Sequence, residues 1–263
     1  MGADGLTGLL IDADLFLYRA TAASEVETNW GDDHWTLHSD AGNARRIFDE
    51  NLRHITEELK ELGAKQDGDP VVLCFSDPSR RCFRHDLSDL YKANRKETRK
   101  PLAYRALRDE MLEKRKCVVK PGLEADDVMG IVSTRAPGKY IIVSEDKDMK
   151  TIPGMLYRQG KLKNITEAEA DYYHLYQTLI GDTTDGYSGC PGTGPKKAEA
   201  LLGAVPWSPK AWAARAWPAV VETYKKAKLT EKDALLQARF ARILRSSDWD
   251  FETSKVKLWE PPK

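Results

Sequence analysis

Apolar residues gather in three short unbroken runs, and each is followed closely by acid. Leu9-Leu10-Ile11 ends in Asp12, Val71-Val72-Leu73-Cys74-Phe75 leads into Ser76-Asp77-Pro78, and Tyr140-Ile141-Ile142-Val143 leads into Ser144-Glu145-Asp146-Lys147-Asp148. Runs of this kind read as strands buried on both faces. Between the first two, Ile47, Phe48, Leu52, Ile55, Leu59 and Leu62 recur at helical spacing across residues 44–63, with Gly63 closing the helix. Strands alternating with helical segments predict an α/β fold with a central, mostly parallel sheet flanked by helices. Such sheets bind ligands in the crevice beyond the carboxyl ends of their strands.

After Gly181 the pattern changes. A glycine-rich turn over 186–194 precedes a short helix at 196–202, and residues 207–245 carry longer helical runs. This divides the chain into an α/β domain over 1–180 and a helical region over 181–263. Trp207, Trp212 and Trp217 fall five apart, which suits no single helical face, and are expected to pack internally. The tail from Trp249 is expected to lie along the body.

With 41% apolar residues in 263, the chain can build a full-sized core. The 41 basic and 41 acidic side chains cancel, which argues against a general electrostatic affinity for nucleic acid. Their distribution is uneven. Residues 80–116 carry thirteen basic and six acidic side chains, a local charge of +7, with Phe83, Tyr91 and Tyr104 interleaved. Such a stretch can follow a phosphate backbone while its rings stack on bases, or it can be a solvated helix surface. Cys74, Cys82, Cys117 and Cys190 form neither a zinc pattern nor a disulfide framework, so free thiols in a reducing compartment are expected. No signal-peptide core and no run of roughly 18 apolar residues occurs, which predicts a soluble cytoplasmic protein with no membrane partner.

The candidate chemistry lies in Asp12, Asp77, Glu124, Asp126, Asp127, Asp146, Asp148, Asp182 and Asp185. If the strands converge at one edge, these acids share a small volume, and their repulsion destabilises the fold unless divalent cations or raised pKa values relieve it. Oxygen ligands with no histidine or cysteine nearby select Mg²⁺ or Mn²⁺. Two such ions about 4 Å apart support phosphodiester cleavage. Glu124 and Asp127, three apart after Pro121-Gly122, share one face of a helix; capping of its first turn is the plainer explanation. Asp146 and Asp148, two apart, point the same way in an extended segment, or else form an ordinary polar turn. Gly189-Cys190-Pro191-Gly192-Thr193-Gly194-Pro195-Lys196-Lys197-Ala198 is not a Walker loop. Its amides and the following helix N-terminus can still hold a phosphate.

In this order the pieces resemble the 5′-nuclease, or flap endonuclease, family, and within it the short exonucleases of T7-like bacteriophages. The resemblance rests on Leu10-Ile11-Asp12-Ala13-Asp14, Phe75-Ser76-Asp77, Tyr91-Lys92-Ala93-Asn94-Arg95 and Gly122-Leu123-Glu124-Ala125-Asp126-Asp127. It continues through Ser144-Glu145-Asp146-Lys147-Asp148, Gly181-Asp182-Thr183-Thr184-Asp185 and Gly192-Thr193-Gly194-Pro195-Lys196-Lys197-Ala198. It implies a PIN-like sheet, a helical arch inserted at about 78–116, and a helix–three-turn–helix at about 185–202. Asp12, Asp77, Glu124 and Asp126 are then expected at a first Mg²⁺, and Asp146, Asp148, Asp182 and Asp185 at a second, with Asp127 close by. Lys92 and Arg95 match arch residues that meet the reacting phosphate. Arg19, Arg84, Tyr91, Gly192, Gly194, Lys196 and Lys197 are further expected contacts to nucleic acid, and the carbonyls of Gly192 and Gly194 hold K⁺. The implied activity is 5′→3′ exonuclease cleavage of duplex DNA at ends, nicks or flaps, compatible with action on RNA–DNA hybrid. A metal-dependent RNase and a non-catalytic replication accessory are the competing readings. Only 46 positions separate Asp77 from Glu124, so the expected arch is compact.

Overall fold

In the computed structural model, which describes residues 8–64, 71–95, 99–208 and 211–262 without the side chain of Arg95, the first apolar run becomes β1 (Gly8–Asp12). Asp12 ends the strand and caps α1 (Ala13–Ala23), accepting from the Leu15 amide at 3.3 Å. A hairpin of β2 (Glu25–Asn29) and β3 (Trp35–Ser39) follows, unannounced by the apolar pattern because both strands are largely exposed. Helix α2 (Ala41–Glu61) starts three residues before its expected position, because Asp40 accepts from the Gly42 amide at 2.7 Å and caps it there. Ala44, Phe48, Ile55 and Leu59 face inward, and burying each of the larger three contributes about 1.5–3 kcal/mol.

The second run forms β4 (Val71–Phe75). The basic segment then folds into a one-turn α3 (Arg84–Leu87), a 3-10 turn at Ala93–Arg95, and α4 (Tyr104–Lys114). Next come β5 (Cys117–Val119), α5 (Ala125–Arg135) and β6 (Tyr140–Val143), then a 3-10 turn at Lys147–Thr151, β7 (Gly154–Arg158), β8 (Lys161–Ile165) and α6 (Glu167–Ile180). The sheet order is β5-β4-β1-β6-β7-β8, parallel except for β8, which runs against β7. The three strands foreseen from the sequence are its centre. Ile11 is in register with both Leu73 and Val143, so the acids after β1, β4 and β6 open on one edge.

Helices α1, α2 and α4 cover one face of the sheet, and α5 covers the other. The remaining helices, α7 (Pro195–Gly203), α8 (Trp212–Lys226) and α9 (Glu231–Ala241), pack with α6 around a separate core. The chain then returns. Ile243, Leu244 and Trp249 join the core beneath the sheet with Leu10, Val128 and Ile142, before a small hairpin of β9 (Trp249–Asp250) and β10 (Lys255–Val256). A boundary at 180 therefore divides residues that share one core. Trp212 and Trp217 are buried as expected, but Trp207 is 56% exposed, because it lies in a loop before α8. All four cysteines are free. Among the described residues no helix is long and apolar enough to cross a membrane.

Candidate active site

At the carboxyl edge of the sheet lies a cleft of about 1280 Å³. Asp12, Asp14, Asp77, Glu124, Asp126 and Asp146 line it together with the basic Arg80, Arg81, Lys100, Arg105 and Arg108, among which Asp89 and Asp109 also stand. Asp12 is fixed by the Ser144 hydroxyl, which donates to it at 2.6 Å. Burial nevertheless pushes the Asp12 carboxyl up to about 6, against that bond and with the help of Asp14 and Asp146. Burial, then repulsion from Asp12 and Asp146, raises Asp126 well above the ordinary range.

A second group sits beside the first. Asp148 is pushed up to about 7, first by burial and then by Asp146, with Asp185 and Asp182 adding to it. Asp146 holds the turn by accepting from the Asp148 amide at 2.8 Å, so these two acids lie at the start of a 3-10 turn rather than along a strand. For Asp182 burial works upward, but the Lys147 ammonium at 2.6 Å keeps its pKa low.

Lys92 bridges the two groups: its ammonium is 2.5 Å from Glu124 and 3.5 Å from Asp185. Tyr91 does the same through its hydroxyl, at 2.8 Å from Glu124 and 3.2 Å from Asp185. Burial disfavours the Glu124 charge, yet Lys92 and Arg84 hold its pKa at about 2. The loop bearing Lys92 is seated by the Lys92 amide donating to the Asp185 carbonyl at 2.9 Å. Gly186 lies against the same loop with φ +79°, and a Cβ there would meet the Leu90 carbonyl oxygen at 2.6 Å.

Several expected site residues serve other purposes. Asp127 is fully buried, its oxygens taken by both Arg84 guanidinium nitrogens at 2.8 Å, the Leu244 amide at 3.1 Å and the Glu124 amide at 3.3 Å, so no lone pair faces the cleft. Arg84 is itself fully buried and cannot touch DNA. Tyr91 is 3% exposed and stacks on Phe240 instead of a base. Asp77 reaches the cleft rim, but both oxygens brace its loop, accepting from Gly122 at 2.6 Å and Ser79 at 2.8 Å. Lys92 and Arg95 do not share a helical face: Lys92 precedes the 3-10 turn with φ +50°, and the Arg95 side chain lies outside the described residues. Helix α5 begins at Ala125, with Glu124 and Asp127 forming its capping box.

Other groups were not singled out from the sequence. Asp14 accepts from the Ser76 amide at 2.7 Å and the Tyr104 hydroxyl at 2.6 Å, tying the start of α1 to the end of β4 and to α4. Its spacing of two from Asp12 was the available signal. Lys147 and Ser144 stand inside the motif already quoted, but neither is an acid.

The donor set fits a hard divalent ion, since it offers only carboxylate oxygens, and Asp12, Asp126 and Asp148 are crowded enough by burial and other acids to carry raised pKa values. The fit is chemical rather than geometric: among the described residues, no three aspartate, glutamate, histidine or cysteine side chains form a ready ligand group. Lys92 and Lys147 occupy the carboxylates instead.

Farther along, Gly194 precedes α7, and Lys196 and Lys197 stand exposed in its first turn. The Gly194 carbonyl accepts from the Lys197 and Ala198 amides, and the Gly192 carbonyl accepts the Lys197 ammonium at 3.1 Å. The Thr193 hydroxyl between them is buried without a hydrogen-bond partner. Arg19 projects outward from α1.

Residues 7–170 match the model of a 5′-3′ exonuclease N-terminal resolvase-like domain. The chain is 33% identical, over an alignment of 292 positions including gaps, to the exonuclease of Escherichia phage T7, covering 99% of this chain and 95% of that relative. Its fold is similar to that of the bacteriophage T5 D15 protein co-crystallized with metal ions, with a TM-score of 0.53 and 14% identity over 89% of this chain and 88% of the other. It is also similar to the T5 D15 flap endonuclease in a pseudo-enzyme-product complex with DNA and metal ions, with a TM-score of 0.51, 13% identity and the same coverages.

Proposed function

The chain belongs to the 5′-3′ exonuclease family, and from that premise we propose that it hydrolyses phosphodiester bonds of duplex DNA from 5′ ends with two Mg²⁺ ions. The observation that carries the two-ion reading is the pair of neighbouring carboxylate groups bridged by Lys92 and Tyr91. One lies around Asp12 and Asp126 and the other around Asp148, with the pKa of these three acids raised by burial and by other carboxylates. Asp12, Glu124 and Asp126 would hold one ion, without the expected Asp77, whose oxygens brace its own loop. Asp148, Asp182 and Asp185 would hold the other, with Asp146, which presses on Asp12 and Asp126 as well as on Asp148, between them. Such ions, when bound, supply an activated water and neutralise charge on the leaving oxygen.

The chain's own residues do the rest. Lys92 stands between the two groups, where its ammonium meets the negative charge of a phosphate seated over them. The basic side chains of the cleft, Arg80 through Arg108, accept the backbone of a strand entering it. Lys196, Lys197 and the N-terminus of α7 hold intact duplex backbone away from the cut, and Arg19, exposed on α1 after the first strand, adds a separate phosphate contact. For K⁺ at this turn the Thr193 hydroxyl, buried without a hydrogen-bond partner, would be a ligand beside the Gly192 and Gly194 carbonyls.

The test is a gel assay on 5′-labelled and 3′-labelled blunt, nicked, flap and RNA–DNA hybrid substrates, with Mg²⁺ and with EDTA. Release from the 5′ label that stops in EDTA is expected. Cleavage that persists through chelation, or that starts from 3′ ends, overturns the proposal.

A further inference from the structure

Three buried contacts reach the acid groups from one short segment near residue 240. Arg84 donates from Nε to the Phe240 carbonyl at 3.1 Å and from Nη2 to the Arg242 carbonyl, while the same guanidinium grips Asp127 and reaches Glu124 at 3.0 Å. The Leu244 amide donates to Asp127 at 3.1 Å. Arg245 donates to the carbonyl of Thr151, the last residue of the turn bearing Asp148, at 2.9 Å and pairs with Asp171 of α6 at 2.8 Å. The segment lies directly on α5, for a Cβ on Gly130 would sit 2.3 Å from the Leu244 carbonyl oxygen. Asp248 closes it, bonding Arg242 Nε at 2.7 Å and the Arg245 amide at 2.9 Å.

A buried guanidinium is a poor way to gain stability, because its desolvation offsets most of the attraction. Its planar fork does fix direction. Here the fork ties two carbonyls of the late segment to two carboxylates of α5, so Glu124 is aimed by residues outside the portion matched by the family model.

We propose that residues 240–248 form a strap that positions the ion-binding carboxylates, with Arg84 the positioning residue for Glu124 and Arg245 that for the Asp146–Asp148 turn. This rests on the two-ion reading above. The test uses the full chain with Arg84→Lys, which keeps the charge and loses the fork, and Asp248→Asn, which is isosteric and touches no carboxylate of the cleft. Mn²⁺ binding without DNA is measured by paramagnetic resonance below each variant's Tm, beside the Mg²⁺ dependence of cleavage and duplex affinity in Ca²⁺. Arg84→Lys should weaken Mn²⁺ binding about 10-fold and Asp248→Asn less, about 3-fold, in keeping with supporting residues around metal ligands. Duplex affinity should hold. A merely structural role lowers Tm and leaves the Mn²⁺ affinity of folded molecules unchanged, and that result in both variants overturns the proposal. If Arg84→Lys does not fold, Asp248→Asn decides alone. A wild-type chain that binds no Mn²⁺ overturns the two-ion reading and the strap's role with it, an outcome distinct from wild-type binding that both variants retain.

Discussion

The Lys92 ammonium lies 2.5 Å from one Glu124 oxygen, with Asp185 on its other side at 3.5 Å. In the proposed arrangement it would stabilise charge developing on a phosphate rather than ground-state binding of the duplex. Lys92→Ala should lower the single-turnover rate at saturating enzyme by ~10²-fold, about 3 kcal/mol. Replacing Lys196 and Lys197 together with Ala should instead weaken duplex binding, with the rate recovering at high protein concentration. Single-turnover kinetics and titrations at two salt concentrations separate the two, and a Lys92→Ala rate equal to wild type defeats the assignment.

Asp146→Asn and Asp148→Asn should each abolish measurable cleavage while duplex binding stays within about twofold, since neither acid is a DNA contact in the proposed arrangement. Near-normal cleavage in Mg²⁺ by either purified variant would remove that residue from the ion site.

Asp12 and Asp148 carry pKa values near 6 and 7, against an ordinary 3.8. At these two groups, and at Asp126, the folded chain binds more protons than the unfolded chain, and their contribution to stability falls as pH rises through about 4–7. Buried His174, held well below 6.5, acts oppositely below that pH but is one group against three, and Glu124, held near 2, acts oppositely at lower pH. Without divalent ions, Tm should be higher at pH 5 than at pH 8, and Mg²⁺ should raise it at pH 8 more than at pH 5. A metal-free Tm that climbs from pH 5 to pH 8 contradicts this ordering.

Gly186→Ala should displace the loop carrying Lys92, because the added methyl meets the Leu90 carbonyl at 2.6 Å and φ is +79°. A rate lowered roughly tenfold with duplex affinity retained is expected, an amount equal to about 1.4 kcal/mol of the barrier. An unchanged rate would show that the loop tolerates the shift.

The central strands were legible because buried parallel strands are unbroken apolar runs, and β4 and β6 have the boundaries their runs predict. The hairpin β2–β3 was not, since its strands bury little. Charge alone could not distinguish Arg84 from its exposed neighbours Arg80 and Arg81: burial beside Asp127 depends on residues 240–244, distant in sequence. Likewise Asp127 and Asp126 are adjacent acids, and only the direction of α5 decides which of them faces the cleft. The helix Lys92 was assigned to is absent because the left-handed turn there is set by contact with Asp185 and Gly186.

Arg84 precedes Phe240 by 156 positions. At a synthesis rate of 5–20 residues per second, roughly 8–30 s separate their emergence during translation. Its carboxylates, Glu124 and Asp127, follow Arg84 by 40 and 43 positions, so for the rest of that interval the guanidinium has them within reach but neither carbonyl, and a charge only partly partnered resists burial. If the proposed strap holds, a ribosome-bound chain halted short of residue 240 would carry Arg84 and the acids without the Phe240 and Arg242 carbonyls that fix the guanidinium, and Glu124 would gain its final bearing among the last events of biogenesis.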